Sequence, residues 1–151
     1  MSTLLDTNTL LRSAQPAHPH NALVRGAIDE LNRQGELLYL VPQNVYEFWV
    51  VATRPAAQNG LGYTVAQTQA ELARFRNLFP LLHDTPALFR EWQNLVSHYQ
   101  VIGKNAHDVR LVAAMLVHGL GRLLTFNVAD FQRYQGIVVV SPQDILAPGH
   151  P

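Results

Sequence analysis

Cysteine is absent from this sequence. That single absence excludes disulfide staples, zinc–thiolate sites and cysteine nucleophiles together. It is compatible with a reducing compartment, and a cytoplasmic location is the expectation. Long hydrophobic runs are missing too. No stretch reaches the roughly 18 apolar residues that span a bilayer, and the run from Leu111 to Leu120 is interrupted by His118 and Gly119. The opening MSTLLDTNTLL has no basic start and is broken by Asp6, so it does not read as a signal peptide. No membrane association is expected. An excess of one charge is also missing, because eleven Lys and Arg balance eleven Asp and Glu. The overall basic balance of many nucleic-acid binders is therefore not present, and any basic surface must be local.

Several catalytic plans are excluded by their missing motifs. There is no G-x-S-x-G, no Walker A loop and no H-E-x-x-H among the seven histidines. The short glycine pairs near Gly60 and Gly119 follow no convincing strand, which argues against a dinucleotide site. His18 and His20 lie in a proline-containing loop and are expected to be exposed, and His150 lies near the end of the chain.

What is present fits one globular domain. The chain has 151 residues, 48% of them hydrophobic and 15% charged, enough to bury a core without cross-links. Residues 1–146 are read as a single domain, followed by a flexible tail from Ala147 to Pro151. Leu4 and Leu5 end a first strand, and Thr7 to Arg12 turns into a short helix. A helix is expected from Asn21 to Gln34, with Gly35 as its stop. A strand follows at Leu37 to Val41. Pro42 opens a helix that runs to about Thr53, since Pro suits the first helical turn.

Thr64 reads as the N-cap of a helix through Leu78. Leu81 to His83 is read as a third short strand. Helices are expected over Pro86 to Tyr99 and Ala106 to Val117, strands over Arg122 to Thr125 and Gly136 to Val140. A helical turn over Asn127 to Tyr134 separates those strands, and Pro142 to Leu146 closes the domain. Strands alternating with helices imply an α/β fold with a mainly parallel sheet.

In such sheets functional groups gather beyond the carboxyl ends of the strands. Four acids occupy suitable places. Asp6 directly follows the first strand. It reads either as an N-cap or as a carboxylate aimed into a crevice, with Asn8 as a neutral neighbour. Glu47 is the only charge between Val41 and Thr53. It lies off the stripe of Val45, Phe48, Trp49 and Ala52 that should face the core, yet Val50 and Val51 flank it. An acid in apolar surroundings needs a metal, a donor or a proton; the plainer reading is a solvated acid on the outer face.

Asp108 takes the leading position of the apolar stripe Leu111, Val112 and Met115, where a hydrophobe is due. An N-cap role is its alternative. Its neighbour His107 points about 100° away on a helix and is support at most. Asp130, in TFNVADF, sits three residues after Asn127 and is readable as part of a capping box.

Together these segments resemble the PIN-domain family, in particular the VapC-type toxins of bacterial toxin–antitoxin pairs. The pieces that carry the resemblance are LLDTNTLL, PQNVYEFWVV, AHDVRLVAAMLVHGL, LLTFNVADFQRY and IVVVSPQDIL. They occur in matching order across nearly the whole chain, although the segment from Pro55 to Ala106 carries no distinctive motif. The resemblance implies a three-layer α/β/α sandwich around a central, mainly parallel sheet. It implies an acidic pocket for Mg²⁺ or Mn²⁺ and endonucleolytic cleavage of RNA.

By motif match, Asp6, Glu47, Asp108 and Asp130 correspond in order to the family's four acids. Asn8, Thr125 and Asn127 match polar positions near the pocket. The resemblance also implies a cognate antitoxin that blocks the site, and a homodimer. On this reading Asp6 and Asp108 hold a metal directly, while Glu47 and Asp130 act at longer range or complete a second site. Two other readings fit the same acids: a PIN-like module that binds RNA or protein without cutting, and a small-molecule phosphatase.

Overall fold

Two adjacent leucines at the start of the chain point in opposite directions, and the architecture follows from that. In the computed structural model, which describes residues 1–149, strand β1 spans Ser2–Leu5. Successive side chains of a strand leave on opposite faces. Leu4 joins one hydrophobic cluster and Leu5 the other, and both are fully buried. Strand β3, Arg122–Leu124, repeats the pattern with Leu123 and Leu124. A sheet buried on both faces must be covered by helices on both sides.

The sheet has four strands in the order β2-β1-β3-β4. β2 is Leu37–Tyr39 and β4 is Val138–Val140. All neighbours are parallel, with Leu4 opposite Tyr39 and Leu123, and Leu124 opposite Val140. On one face lie α1 (Thr7–Ser13), α2 (Asn21–Arg33), α3 (Pro42–Thr53), α4 (Val65–Leu78) and α8 (Pro142–Leu146). They contribute Leu10, Ala27, Leu31, Phe48, Phe75 and Ile145 to the cluster around Leu5 and Leu124. The opposite face is covered by α5 (Ala87–His98), α6 (Asn105–His118) and α7 (Val128–Phe131), through Leu88, Leu95, Val112, Met115 and Phe131. The fold is thus the expected three-layer α/β/α sandwich.

Local chemistry explains several boundaries. Thr64 caps α4 by accepting from the Gln67 N–H at 3.0 Å, and the Gln67 side chain returns to the Thr64 N–H at 2.8 Å, the reciprocal pair of a capping box. Gly119 ends α6 in the left-handed region at φ 70°, and the Leu120 N–H then reaches the Met115 carbonyl at 2.8 Å. Gly60 passes so close to the carbonyl of Arg54 that a Cβ there would overlap it.

Some expectations are corrected. The strand expected at Leu81 to His83 is reduced to one parallel bridge between Leu40 and Leu81. Pro80 supplies a carbonyl to Leu40 but, as a proline, has no N–H to extend the ladder. The helical turn expected to reach Tyr134 is confined to α7. On α3 the buried residues are Pro42, Gln43, Asn44, Phe48 and Ala52; Val45 and Trp49 are only half-buried. His18 is half-buried rather than exposed; His20 is exposed, as expected, and stacks on Phe126 with ring centroids 4.9 Å apart. Of the expected tail, Ala147 to Gly149 are exposed, and His150 and Pro151 lie outside the described residues.

Phe48 fixes α3 to this core. It is fully buried and meets Phe75 edge-on, with ring centroids 5.0 Å apart. Truncating a buried aromatic removes its transfer free energy and leaves a cavity, so Phe48→Ala is expected to cost roughly 3–5 kcal/mol in chemical denaturation. A loss below about 1 kcal/mol would mean that α3 is held by other contacts.

Candidate functional site

β1 ends at Leu5, and the next residue begins the site. The Asp6 N–H continues the sheet ladder to the Leu124 carbonyl at 3.0 Å. Its Oδ1 accepts the Thr7 N–H at 2.8 Å, so Asp6 does cap α1. Its Oδ2 accepts the Thr125 hydroxyl at 2.6 Å. The two readings of Asp6 are therefore compatible: one carboxylate caps a helix and also faces the pocket.

Thr125 is a junction. Its hydroxyl donates to Asp6 and accepts from the Asn8 side chain at 3.2 Å and from the Asn127 N–H at 3.0 Å. Asn8 closes the loop by accepting the Phe126 N–H through Oδ1 at 3.3 Å. The parallel pairing of β1 with β3 puts these segments side by side, since Leu5 lies opposite Leu124.

Glu47 is half-buried on α3. Its Oε2 accepts the Thr7 hydroxyl at 3.2 Å, and its Oε1 accepts the Gln43 amide at 2.6 Å. The reading of Glu47 as a freely solvated acid is thus overturned. Gln43 is itself buried. It donates to the His107 carbonyl on α6 at 2.8 Å and accepts from Arg110 at 3.1 Å, and Arg110 pairs with Asp84 at 2.8 Å. This chain ties α3 to α6 beside the acids. Asn44 accepts the Val41 N–H at 2.9 Å, which caps α3, and its amide approaches the Thr7 hydroxyl at 3.5 Å.

The sequence reading missed Gln43 and Thr7. The available signal was a polar residue one helical turn before Glu47, since i and i+4 lie on one face.

Asp108 is half-buried in the first turn of α6, which is capped at Lys104, so the N-cap alternative for Asp108 does not hold. Asp130 is exposed on α7. The capping box expected with Asn127 does not form, because the Asn127 side chain makes no cap bond.

A cavity of about 430 Å³ opens here, at the carboxyl ends of β1 and β3. Asp6, Glu47, Asp108, Asn8 and Asn127 line it together with Arg54. Asp130 does not line it and couples to the group through its charge on Asp108.

Burial, helped by neighbouring acids, raises the proton affinity of Asp6 and Asp108. Burial pushes the Asp6 carboxyl from 3.8 up to about 6, against the Thr125 and Thr7 hydrogen bonds, and Glu47 and Asp108 add to the rise. Asp108 is also raised, first by burial and then by Asp130 and Glu47, while His107 and Lys104 oppose it. Carboxylate oxygens are the hard ligands that Mg²⁺ and Mn²⁺ prefer, and a cation among the acids would relieve this repulsion. The donor set therefore fits such an ion. Among the described residues, however, no three acidic or histidine side chains close on a single point as they stand. Among the described residues, Glu47 is held by hydrogen bonds from Gln43 and Thr7.

A parallel α/β/α sheet with an acidic pocket at its carboxyl pole defines a class of protein, and comparison with known proteins gives its family. The PIN domain family model matches residues 3–137, and the chain belongs to the PIN domain family. No curated relative matches in sequence. Among solved structures, the chain is similar to VapBC2 from Rickettsia felis bound to a DNA fragment from its promoter. The TM-score is 0.72 at 14% identity, over 93% of this chain and 98% of that one. A toxin–antitoxin complex from Klebsiella pneumoniae gives 0.62 at 19%, over 93% and 97%. The sarcin–ricin loop cleaving toxin VapC20 of Mycobacterium tuberculosis gives 0.57 at 16%, over 80% and 86%.

The raised Asp6 carboxyl makes a linkage prediction for the metal-free protein. Below about 4 the group is protonated both folded and unfolded and costs nothing. Between about 4 and 6 the unfolded chain ionises while the folded one holds its proton, so stability falls as pH rises. Above about 6 the penalty is complete, at roughly 3 kcal/mol as an upper bound. Thermal unfolding of wild type and Asp6→Asn across this window is expected to show a steeper fall in the wild type, since the raised Asp108 is common to both. Parallel curves would mean that burial of Asp6 carries no net penalty.

Proposed function

We propose that this chain is a Mg²⁺- or Mn²⁺-dependent endoribonuclease, the toxin of a toxin–antitoxin pair acting in the cytoplasm. The observation that carries the reading is the meeting of Asp6, Glu47 and Asp108 in one cavity at the carboxyl ends of the strands, with two of them raised by burial and mutual repulsion. Membership of the PIN domain family and likeness in fold to toxin–antitoxin complexes support it. Among the described residues no helix is long and apolar enough to cross a membrane.

Asp6 and Asp108 are the residues proposed to hold the metal. Asp6 comes from a buried strand end and is held by two hydrogen bonds. A bound divalent ion supplies neutralisation of phosphate charge and a water nucleophilic at neutral pH. Glu47 completes the ligand set once turned inward, with Gln43 and Thr7 limiting its range. Asp130, exposed and outside the cavity, adds negative charge that deepens the site's attraction for a cation. Asn8 and Thr125 orient Asp6, and Asn127 offers a polar contact at the rim. The antitoxin and a second copy of the chain are the proposed protein partners.

RNA cleavage by purified protein with Mg²⁺ or Mn²⁺ is the direct assay. Asp6→Asn and Asp108→Asn are expected to lower it by more than about 100-fold, beyond the loss typical of residues behind a metal's direct ligands. Asp130→Asn is expected to cost about tenfold. Equal cleavage by wild type and variants would reveal a contaminating nuclease and sink the proposal.

One observation favours a second reading. The acids do not close on a point as they stand, which suits a PIN-fold module that binds RNA or protein without cutting. A rise in melting temperature on adding Mn²⁺, lost in Asp108→Asn, supports the nuclease. No metal-dependent shift supports the binding module.

A further inference from the structure

Tyr46 is one of the most exposed large side chains in the protein, at 63%, although it is next in sequence to Glu47. It lines two adjoining cavities. One is the acidic pocket. The other, of about 660 Å³, is lined by Lys104, His107 and Arg110, and it shares Tyr46, Glu47 and Asp108 with the first. The tyrosine and two acids are thus common to both cavities, the first holding Asp6 and Arg54 and the second Lys104 and Arg110.

Val50 and Arg54 follow Tyr46 at successive four-residue steps, on one face of α3 and at its end. Both line the acidic pocket. The loop after α3 fixes the Arg54 backbone: the Gly62 N–H donates to its carbonyl at 2.9 Å, and Gly60 packs against the same group. Among the described residues, neither Arg54 nor Lys104 forms a salt bridge. Arg54 lines the cavity that holds Asp6, and Lys104 lines the adjoining one. This local pattern supplies what the zero net charge of the chain does not.

We propose that Tyr46 is a stacking platform for an unpaired nucleobase next to the scissile phosphate, with Arg54 and Lys104 meeting backbone phosphates on either side. The inference rests on the ribonuclease reading and adds to it the residues of this chain that would meet a base and the flanking phosphates. A tyrosine ring offers an apolar face to any base, and stacking of this kind is tolerant of sequence. In a duplex the bases are stacked on one another, so the ring meets a base only in a single strand, loop or bulge. RNA suits this groove better than a protein partner. Of the hydrophobic residues that line it, Tyr46 and Val50 are exposed, Val51 is half-buried, and Leu11 and Phe131 are buried, a small exposed apolar area beside the core of a stable protein interface. Arg54 and Lys104, in no salt bridge among the described residues, match a polyanion.

Binding is measured by fluorescence anisotropy on the full chain carrying Asp108→Asn, which blocks cleavage. The probes are a labelled single-stranded RNA and a hairpin holding the same sequence in its stem. The single strand is expected to bind more tightly. Tyr46→Ala should weaken it on the order of tenfold, and Tyr46→Phe should retain affinity. Neither should alter the salt dependence, whereas Arg54→Gln and Lys104→Gln should each lower its slope by about 0.7.

Unchanged affinity in Tyr46→Ala, with RNA still cleaved by the wild type, overturns the platform and leaves the ribonuclease intact. So does unchanged affinity with an altered sedimentation coefficient, which assigns this face to contact between copies of the chain. A wild type that neither binds nor cleaves either RNA removes the ribonuclease reading and the platform with it.

Discussion

The site depends on one buried carboxylate held against its own charge. Asp6 is almost fully enclosed and close to two other acids, conditions that favour its neutral form. Two donors oppose them, the Thr7 N–H at the start of α1 and the Thr125 hydroxyl beyond β3. Neither donor is free to leave. The first belongs to a helix that begins there, and the second is locked by Asn8 and by the Asn127 N–H. The carboxylate is therefore oriented before any ligand arrives, while its proton affinity stays high enough to reward a cation.

That arrangement is a consequence of parallel pairing. Parallel strands bring their carboxyl ends to the same edge of a sheet, so the turn after β1 and the turn after β3 emerge together. The outer layers then add one acid each. α3 carries Glu47 from the face built on Phe48, and α6 carries Asp108 from the face built on Val112 and Met115. Gln43 joins the two layers across the edge of the sheet, through Glu47 on one side and the His107 carbonyl on the other. A polar side chain buried at such a junction needs all its partners. Here both its amide hydrogens and its oxygen are used, the oxygen by Arg110.

Much of this was legible in the chain. Alternation of strands and helices implied a mainly parallel sheet, the family resemblance implied the three-layer sandwich, and Asp6, Glu47 and Asp108 stood out as acids at strand ends or in apolar runs. The weaker inferences failed where a distant contact decided the outcome. A stripe of four hydrophobes on α3 gave way to one that includes Gln43 and Asn44, because the facing surface offers Thr7 and the His107 carbonyl. Leu81 to His83 had a strand-like composition but found one partner residue in place of a ladder. Asp130 resembled Asp6 as a possible cap, yet one is exposed and the other buried.

By itself, then, the sequence determined most of the order of elements, the mainly parallel sheet and which acids were candidates for a site. Periodicity and local backbone chemistry act over a few residues, and these features need no more. The tertiary structure decided which acids share a cavity, which distant donors hold them, and that Tyr46 lines both that cavity and the adjoining one with Lys104. Those outcomes rest on contacts between residues 40 to 120 positions apart, such as Thr7 with Glu47 and Asp6 with Thr125. Only the register of the sheet and the packing of α3 and α6 bring such pairs within hydrogen-bonding distance.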